Sequence, residues 1–358
     1  MLNKTKMTLE DLGYKPELEK YRKEHQLDSF DTGRVIKEHK DRYSVKTNCS
    51  ELDCELIGNL RYTIESNKEL PAVSDWVAIS EYDLGKGLIH AVLPRTTILE
   101  RKAVGKKSQS QIIATNIDVG LIIQSINRDF SINRLERYLT ICNSANINPV
   151  IILSKIDLIE EKEHDKLLTQ VKERIKSVPI YSISNLNKVG IDDIKSILNK
   201  GKTYCLLGSS GVGKSTLINS LIGENIMETG EISQSIDRGK HVTTSRELIV
   251  FEHGILIDNP GMREIGITDS SDGIELTFDE ISDLSYSCKY NDCTHTNEDG
   301  CSVLNALENN QLSLETYENY LKMEKERMYF ESSSLDRKKK GKDLGKIIKN
   351  MKKTHNKY

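Results

Sequence analysis

The chain has 358 residues, a net charge of −3, seven cysteines and eight histidines, which is length enough for two or three separate cores. No apolar run approaches the ~20 residues that a membrane span requires, no apolar leader opens the chain, and a near-neutral balance does not by itself call for a nucleic-acid partner. A cytoplasmic protein with reduced thiols is therefore expected, without a membrane partner.

In chain order, residues 1–30 form an N-terminal extension in which a polar helical pattern surrounds Leu9, Leu12 and Leu18, read as peripheral. Residues 31–100 carry five β-patterned runs: Gly33 to Ile36, Arg42 to Lys46, Cys54 to Leu60, Trp76 to Ser80 and Gly87 to Val92. Five such short runs, several separated by Gly, Asn or Asp, suit a small barrel. Trp76 reads as a core residue of it. Residues 101–268 alternate strands and helices from Val119 onward, the pattern of a parallel sheet flanked by helices. Residues 269–331 turn helical after Phe278 and close with an amphipathic helix near Leu314 to Tyr329. Residues 332–358 make a basic tail expected to be disordered. From Leu335 to Tyr358 ten Lys or Arg face two Asp, leaving +8 on the tail and −11 on the rest. Such a tail either seeks phosphate or simply aids solubility.

The chemistry is densest at Gly208-Ser209-Ser210-Gly211-Val212-Gly213-Lys214-Ser215, followed by Thr216. This is a phosphate-binding loop between a strand, Thr203 to Leu207, and a helix start, Thr216 to Leu221. Glycine lets the backbone aim N–H groups inward, and the helix N-terminus adds partial positive charge. Lys214 is expected to neutralise the β- and γ-phosphates, and the Ser215 hydroxyl to ligate Mg²⁺. Downstream, the strand Ile255 to Ile257 ends in Asp258-Asn259-Pro260-Gly261, where Asp258 would hold Mg²⁺ and the Gly261 N–H would meet the γ-phosphate.

Upstream, the run Pro149 to Leu153 ends in Ser154-Lys155-Ile156-Asp157. The Asp157 carboxylate can accept from N1–H and the exocyclic amine of guanine, donors that adenine lacks at those positions. Lys155 can lay its stem along the base. Alone, S-K-x-D is also an ordinary strand-end turn, and its place relative to the phosphate loop is what favours guanine. Ser184 and Asn185, after another strand-like run, would back the base. In the polar segment 238–245, Thr243 or Thr244 would sense Mg²⁺ and the γ-phosphate, the alternative being a plain connector. Met262, after Gly261, has no amide to orient water, so unaided hydrolysis is expected to be slow. His241 is the nearest candidate for that task, unless it is only a solvated loop histidine.

Residues 288–301 hold Cys288, Cys293, His295 and Cys301 in the spacing C-x4-C-x-H-x5-C. Three thiolates and one imidazole make a closed tetrahedral zinc site, structural because no open position remains. Free thiols or a disulfide are the alternative. Cys49, Cys54, Cys142 and Cys205 read as inert packing residues.

The base-reading motif thus precedes the phosphate loop, an order that resembles the circularly permuted GTPases. Together with the zinc spacing and the pieces Pro94-Arg95-Thr96-Thr97, Arg101-Lys102 and Asn116-Ile117-Asp118, it resembles the RsgA/YjeQ family of ribosome small subunit-dependent GTPases, over roughly residues 30–325. The chain departs from that pattern at Ser154, where Asn is usual, at Asn185, where Ala is usual, and at Val242 within a Thr run. The resemblance implies an OB-fold for residues 31–100, a circularly permuted P-loop GTPase domain for 101–268 and a zinc-binding helical module for 269–331. It further implies a monomer that binds GTP and GDP, with one structural Zn²⁺ and with Mg²⁺. Its activity would be GTP hydrolysis in late maturation of the 30S subunit, in contact with 16S rRNA and stimulated by the particle. Two other readings stay open: an RNA-binding assembly factor whose nucleotide site is structural, and an ATP-driven P-loop enzyme.

Overall fold

The computed structural model describes residues 7–39, 41–64, 66–102, 110–127, 130–223, 247–258 and 271–331. It divides into two compact units, Met1–Gly266 and Ile267–Tyr358.

The first unit opens with helix α1 (Pro16–Glu24) and five strands: β1 (Asp31–His39), β2 (Arg42–Lys46), β3 (Glu51–Leu56), β4 (Trp76–Asp83) and β5 (Lys86–Val92), with α2 (Gly58–Thr63) after β3. They pair in the order β1-β2-β3-β5-β4, and β1 pairs again with β4 to close the ring. Only β3 and β5 run parallel. This is the expected OB barrel. Alternate residues point inward, so Val35, Val45, Leu52, Cys54, Val77 and Ile89 share one core. The run expected as a strand from Cys54 to Leu60 is displaced: β3 begins at Glu51 and ends at Leu56. Its inward pair is Leu52 and Cys54, and the alternation stops where Gly58 starts a short helix.

Nor is the N-terminal segment peripheral. Leu12 and Leu18 are buried with Trp76 and Leu93, and Tyr14 sets its ring edge-on to Trp76 at 4.9 Å. Trp76 starts β4 on the outside of the barrel and needs a cover; burying each large apolar side chain stabilises by about 1.5–3 kcal/mol. Of the four cysteines read as packing residues, Cys54, Cys142 and Cys205 are buried, whereas Cys49 is exposed. Burial pushes the Cys54 thiol up to about 12. Cys49 sits in a tight turn whose N–H groups, those of Cys49 and Ser50, donate to Thr47 Oγ1, and the turn presents it outward.

A two-stranded ribbon, β6 (Ile98–Lys102) with β7 (Ser110–Thr115), leads into the α/β part. There follow β8 (Val119–Ser125), α3 (Ile132–Ser144), β9 (Asn148–Ser154), α4 (Glu161–Arg174), β10 (Ile180–Ile183), α5 (Ile191–Ile197), β11 (Thr203–Leu207), α6 (Lys214–Ile222), β12 (Glu247–Phe251) and β13 (Gly254–Asp258). The strand order is β10-β9-β8-β11-β13-β12, parallel except for β12. Strands covered on both faces read as continuous apolar runs. Ile122 faces a core shared with α3 and α4, while Leu121 and Ile123 face the one shared with α5 and α6.

Barrel and sheet are joined by polar groups. At the strand edge Lys37 pairs with Glu247, across β1 and β12, at 2.7 Å. Deeper, the fully enclosed Arg34 donates to Leu12 O, Ser74 O and Oγ, Asn116 O and Thr203 Oγ1, linking the N-terminal segment, barrel, ribbon end and β11. Burial lowers its pKa to about 10, opposed by Asp118 and Asp75 nearby. Asp75, also fully buried, accepts from Arg95 Nε and Nη2, Thr115 Oγ1 and Ala72 N. Buried charges persist when every polar atom around them is matched in this way.

The second unit contains α7 (Ser271–Thr277), α8 (Asp279–Ser285), α9 (Ser302–Glu308) and α10 (Leu314–Glu331). Ile274, Phe278, Ile281, Val303 and Met323 form its small core beside Cys301. No helix of the described residues is long and apolar enough to cross a membrane. The basic tail, 332–358, lies outside the described residues.

Candidate functional site: the carboxyl edge of the sheet and a cysteine-histidine cluster

Parallel strands deliver their following loops to one edge, and ligands bind there. Register puts Ser154 level with Ser125 and Ile183, and Leu207 level with Ile122. The carboxyl ends of β9, β10, β11 and β13 therefore lie along one edge, although the chain visits them out of the order in which they stand in the sheet.

At the centre, Gly208 leaves β11 at φ +153°, and a Cβ there would lie 2.3 Å from the Ile123 carbonyl oxygen. Only glycine fits so close to a neighbouring strand. Val212 is buried with Ile123, Leu206, Leu217 and Ile218, which anchors the middle of the loop. Gly213, at φ +95°, precedes α6 as its N-cap. The Lys214 ammonium lies back along the loop and donates to Gly208 O at 2.8 Å and Ser209 O at 2.6 Å. A cation, a glycine-rich turn and a helix N-terminus at one point form an anion cradle.

Ser154, fully buried, donates from Oγ to Val212 O at 2.7 Å, tying the base-side loop to the phosphate loop. Lys155 takes a left-handed φ of 62°, and Ile156–Leu158 form a single 3₁₀ turn that carries Asp157. Ser184 Oγ donates to Asp157 Oδ1 and also accepts from Asn187 N at 3.1 Å. The Ser184 N–H donates to Val189 O at 3.0 Å, so the hydroxyl that orients the carboxylate is itself held. Asn185 Nδ2 donates to Gly213 O at 3.3 Å, while its Oδ1 is buried without a partner. The structure thus brings together Ser154, Asp157, Ser184, Asn185 and the loop 208–216. Asp258 ends β13, parallel to β11, at the same edge. His241, Thr243, Thr244 and Gly261 lie outside the described residues, as does Met262. Sequence reading missed Arg34 and Asp75, which hold β11 and the ribbon from below. An arginine inside the apolar run Arg34-Val35-Ile36 was the available signal.

In the second unit the metal-binding atoms of Cys288, Cys293, His295 and Cys301 all lie within 4.8 Å of one another. Cys288 Sγ and Cys301 Sγ stand 3.6 and 3.4 Å from His295 Nδ1 and 3.9 Å from each other. Tetrahedral bonds of ~2.3 Å to sulfur and ~2.0 Å to nitrogen require donor separations of ~3.4–3.8 Å. The three separations among Cys288, His295 and Cys301 match one tetrahedral ion, and with Cys293 Sγ within 4.8 Å of each the four could hold it. Burial lowers the pKa of His295, which favours the neutral imidazole a metal needs. His295 is in the left-handed region, φ 57°, and its carbonyl accepts from Tyr317 OH at 2.7 Å. The turn before Cys301 is shaped by Glu298, whose carboxylate accepts from the Thr294 hydroxyl and from the N–H groups of Thr294, Thr296 and Asn297. Those bonds hold its pKa down at about 2. Cys301 Sγ in turn accepts from Leu304 N and caps α9.

The family model for the RsgA GTPase matches residues 92–268. Small ribosomal subunit biogenesis GTPase RsgA 2 of Listeria monocytogenes is 39% identical over 98% of both chains. RsgA 1 of Bacteroides thetaiotaomicron is 36% identical over 95% of this chain and 96% of its own. Among solved structures, YjeQ from Thermotoga maritima aligns with a TM-score of 0.62 at 26% identity, covering 82% of this chain and 96% of that one. YloQ, a circularly permuted GTPase, shares the fold with a TM-score of 0.59 at 23% identity, covering 86% of this chain and 99% of its own.

Proposed function

This chain belongs to the RsgA GTPase family, and on that premise we propose that its hydrolysis of GTP serves biogenesis of the small ribosomal subunit. The observation that carries the reading is the shared edge: Ser154 Oγ bonds to Val212 O, so a base-reading loop and the phosphate loop form one continuous wall. Guanine is read by Asp157, pre-oriented by Ser184, with Lys155 and Ile156 in the same turn and Asn185 beside it. Gly208 to Thr216 wrap the phosphates. Lys214 swings from its loop carbonyls onto the β- and γ-phosphates, whose charge competes better for the ammonium than a neutral carbonyl does. Ser215, Asp258 and Thr243 or Thr244 hold Mg²⁺, which when bound neutralises charge on the phosphates. Water is the nucleophile, and the chain supplies positioning and charge with no covalent intermediate. His241 is assigned the orienting of that water, since Met262 carries no amide.

The Cys288, Cys293, His295 and Cys301 cluster takes Zn²⁺, because three thiolates with one imidazole in a closed tetrahedron suit that ion and leave no place for substrate. Its task is to hold the second unit folded. The partners on this reading are the 30S subunit and its 16S rRNA, met by a monomer in the cytoplasm. The barrel is of a kind that binds RNA.

Phosphate release with and without isolated 30S particles tests the proposal. Stimulation by 30S and not by 50S particles is expected, with Lys214→Ala losing about 10²–10³ in kcat. His241→Ala should reduce the stimulated rate and spare GTP binding. Equal turnover of ATP, or no response to 30S particles, would defeat the reading.

A further inference from the structure

At the amino edge of the parallel sheet, the end away from the phosphate loop, a cleft of about 310 Å³ lies where the N-terminal segment, barrel, ribbon ends and β11 converge. That volume falls within the range of small-molecule sites, ~300–1,000 Å³. Its rim is open at Glu17, Pro94 and Thr96, which are exposed, and its floor is closed by Leu18, Arg34 and Trp76, which are buried. No residue of the nucleotide site or of the cysteine-histidine cluster lines it.

The floor combines a flat apolar surface with a buried cation. Trp76 is the only tryptophan of the chain, and the Arg34 guanidinium stands 5.5 Å from its ring centroid. The indole N–H has no partner among the described residues. Arg34 Nη1 carries two hydrogens and, among the described residues, donates to Leu12 O alone. The floor thus offers donors, and a ligand that meets them must bring acceptors. The charge balance points the same way. Asp118 is shared by the Lys15 and Lys202 ammonium groups, at 3.1 and 3.5 Å, and by the Thr203 N–H. Asp75 is taken up by Arg95. Both carboxylates near Arg34 are therefore committed to other cations, and the enclosed guanidinium keeps a positive field that solvent does not screen. Glu17 sits on the exposed rim, where solvent screens its charge.

We propose that the cleft is a second ligand site, for a small aromatic carboxylate: the ring lies against Trp76, and the carboxylate meets Arg34 in the floor and Lys15 at the rim. A carboxylate suits a guanidinium because both are planar and acceptors face donors. The aromatic body follows from the walls, since Trp76, Leu18 and Pro94 present apolar surface that an inorganic anion would leave uncovered. Thr203, also in the cleft, begins β11, whose far end runs into Gly208. The occupant therefore touches the strand under the phosphate loop from its opposite end. The site stands independently of the nucleotide reading.

Because Trp76 is the sole tryptophan, its emission, excited beyond the tyrosine band, reports on this cleft. Titration of 4-iodobenzoate, whose iodine quenches indole on contact, into the full-length, metal-loaded protein should give saturable quenching with Kd at or below ~1 mM. The neutral isostere 4-iodobenzamide should bind ~10-fold more weakly, and iodide ion should quench without saturating. Lys15→Met should raise Kd for the acid ~3- to 10-fold, and Lys15→Arg should restore it, at melting temperatures equal to that of the parent chain. Saturating acid should also raise the melting temperature of the first unit. Quenching by the acid that stays linear up to ~10 mM overturns the site, as does equal affinity for acid and amide. A Lys15→Met variant that binds the acid as tightly as the parent chain overturns it too.

Discussion

The nucleotide site and the cysteine-histidine cluster solve the same problem, holding polar groups at fixed separations, by opposite means. The first draws on residues from Ser154 to Asp258 and needs β8, β9, β10, β11 and β13 in register before any contact exists. The second draws its four donors from residues 288–301, and a small core beside it suffices. Distant donors must be placed by a prior scaffold, whereas near ones can be gathered by the ion itself, with short loops to close. A site of the first kind should thus fail when its scaffold is damaged, and one of the second when its ligand is withdrawn.

The largest effect that probes this contrast is metal removal. Structural zinc supplies roughly 10–16 kcal/mol to small domains at neutral pH, so chelation or Cys301→Ser should abolish the calorimetric transition of the second unit. The transition of the first unit and its binding of GDP should persist; joint loss of both transitions would break the contrast. Next comes the scaffold. Asp75→Ala strips the largely enclosed Arg95 of its fully buried carboxylate partner, and breaking such a pair costs up to about 3–5 kcal/mol. Chemical denaturation should register that loss in the first unit alone, and a change under ~1 kcal/mol would show that the network is not what holds the sheet. Smallest is the clasp of the N-terminal segment. Lys200 and the Thr8 N–H hold Asp11 below its usual 3.8. A lowered carboxylate stabilises fully above its unfolded value and loses that share as the pH falls through its folded one. The stability gap between the parent chain and Asp11→Asn, under ~1 kcal/mol at this half-exposed site, should be constant from neutrality to about pH 5. Melts at successive pH should show it closing below the unfolded value of 3.8, and a gap that widened there would refute the clasp.

Much of this is legible in the amino-acid sequence. The cluster was fully written in its spacing, because its geometry is local. The strand under the phosphate loop, Thr203 to Leu207, has the bounds expected from its apolar run, since a strand covered on both faces has no other reading. The barrel strands were harder. β3 was misplaced because half its residues face water and only Leu52 and Cys54 mark its inward side. The burial of Leu12 was invisible because its partners, Trp76 and Leu93, are remote in the chain. Asp75 is hidden for the same reason, its partners Arg95 and Thr115 being remote, whereas Cys49 is turned outward by a local turn through Thr47 and Ser50.

The amino-acid order alone decided which chemistries were available: glycines where the backbone must turn under a phosphate, a lysine at the head of a helix, three thiols and an imidazole within one loop. These are consequences of conformational freedom, charge and short spacing, which neighbouring residues settle among themselves. Tertiary structure decided which of the remote groups meet. Only the strand order could bring Ser154 and Asn185 to consecutive carbonyls of one loop, and only the packed junction could surround Arg34 with acceptors from four separate segments. Contacts between residues far apart in the chain carry a closure cost that no local preference repays, so they exist only once the whole sheet does.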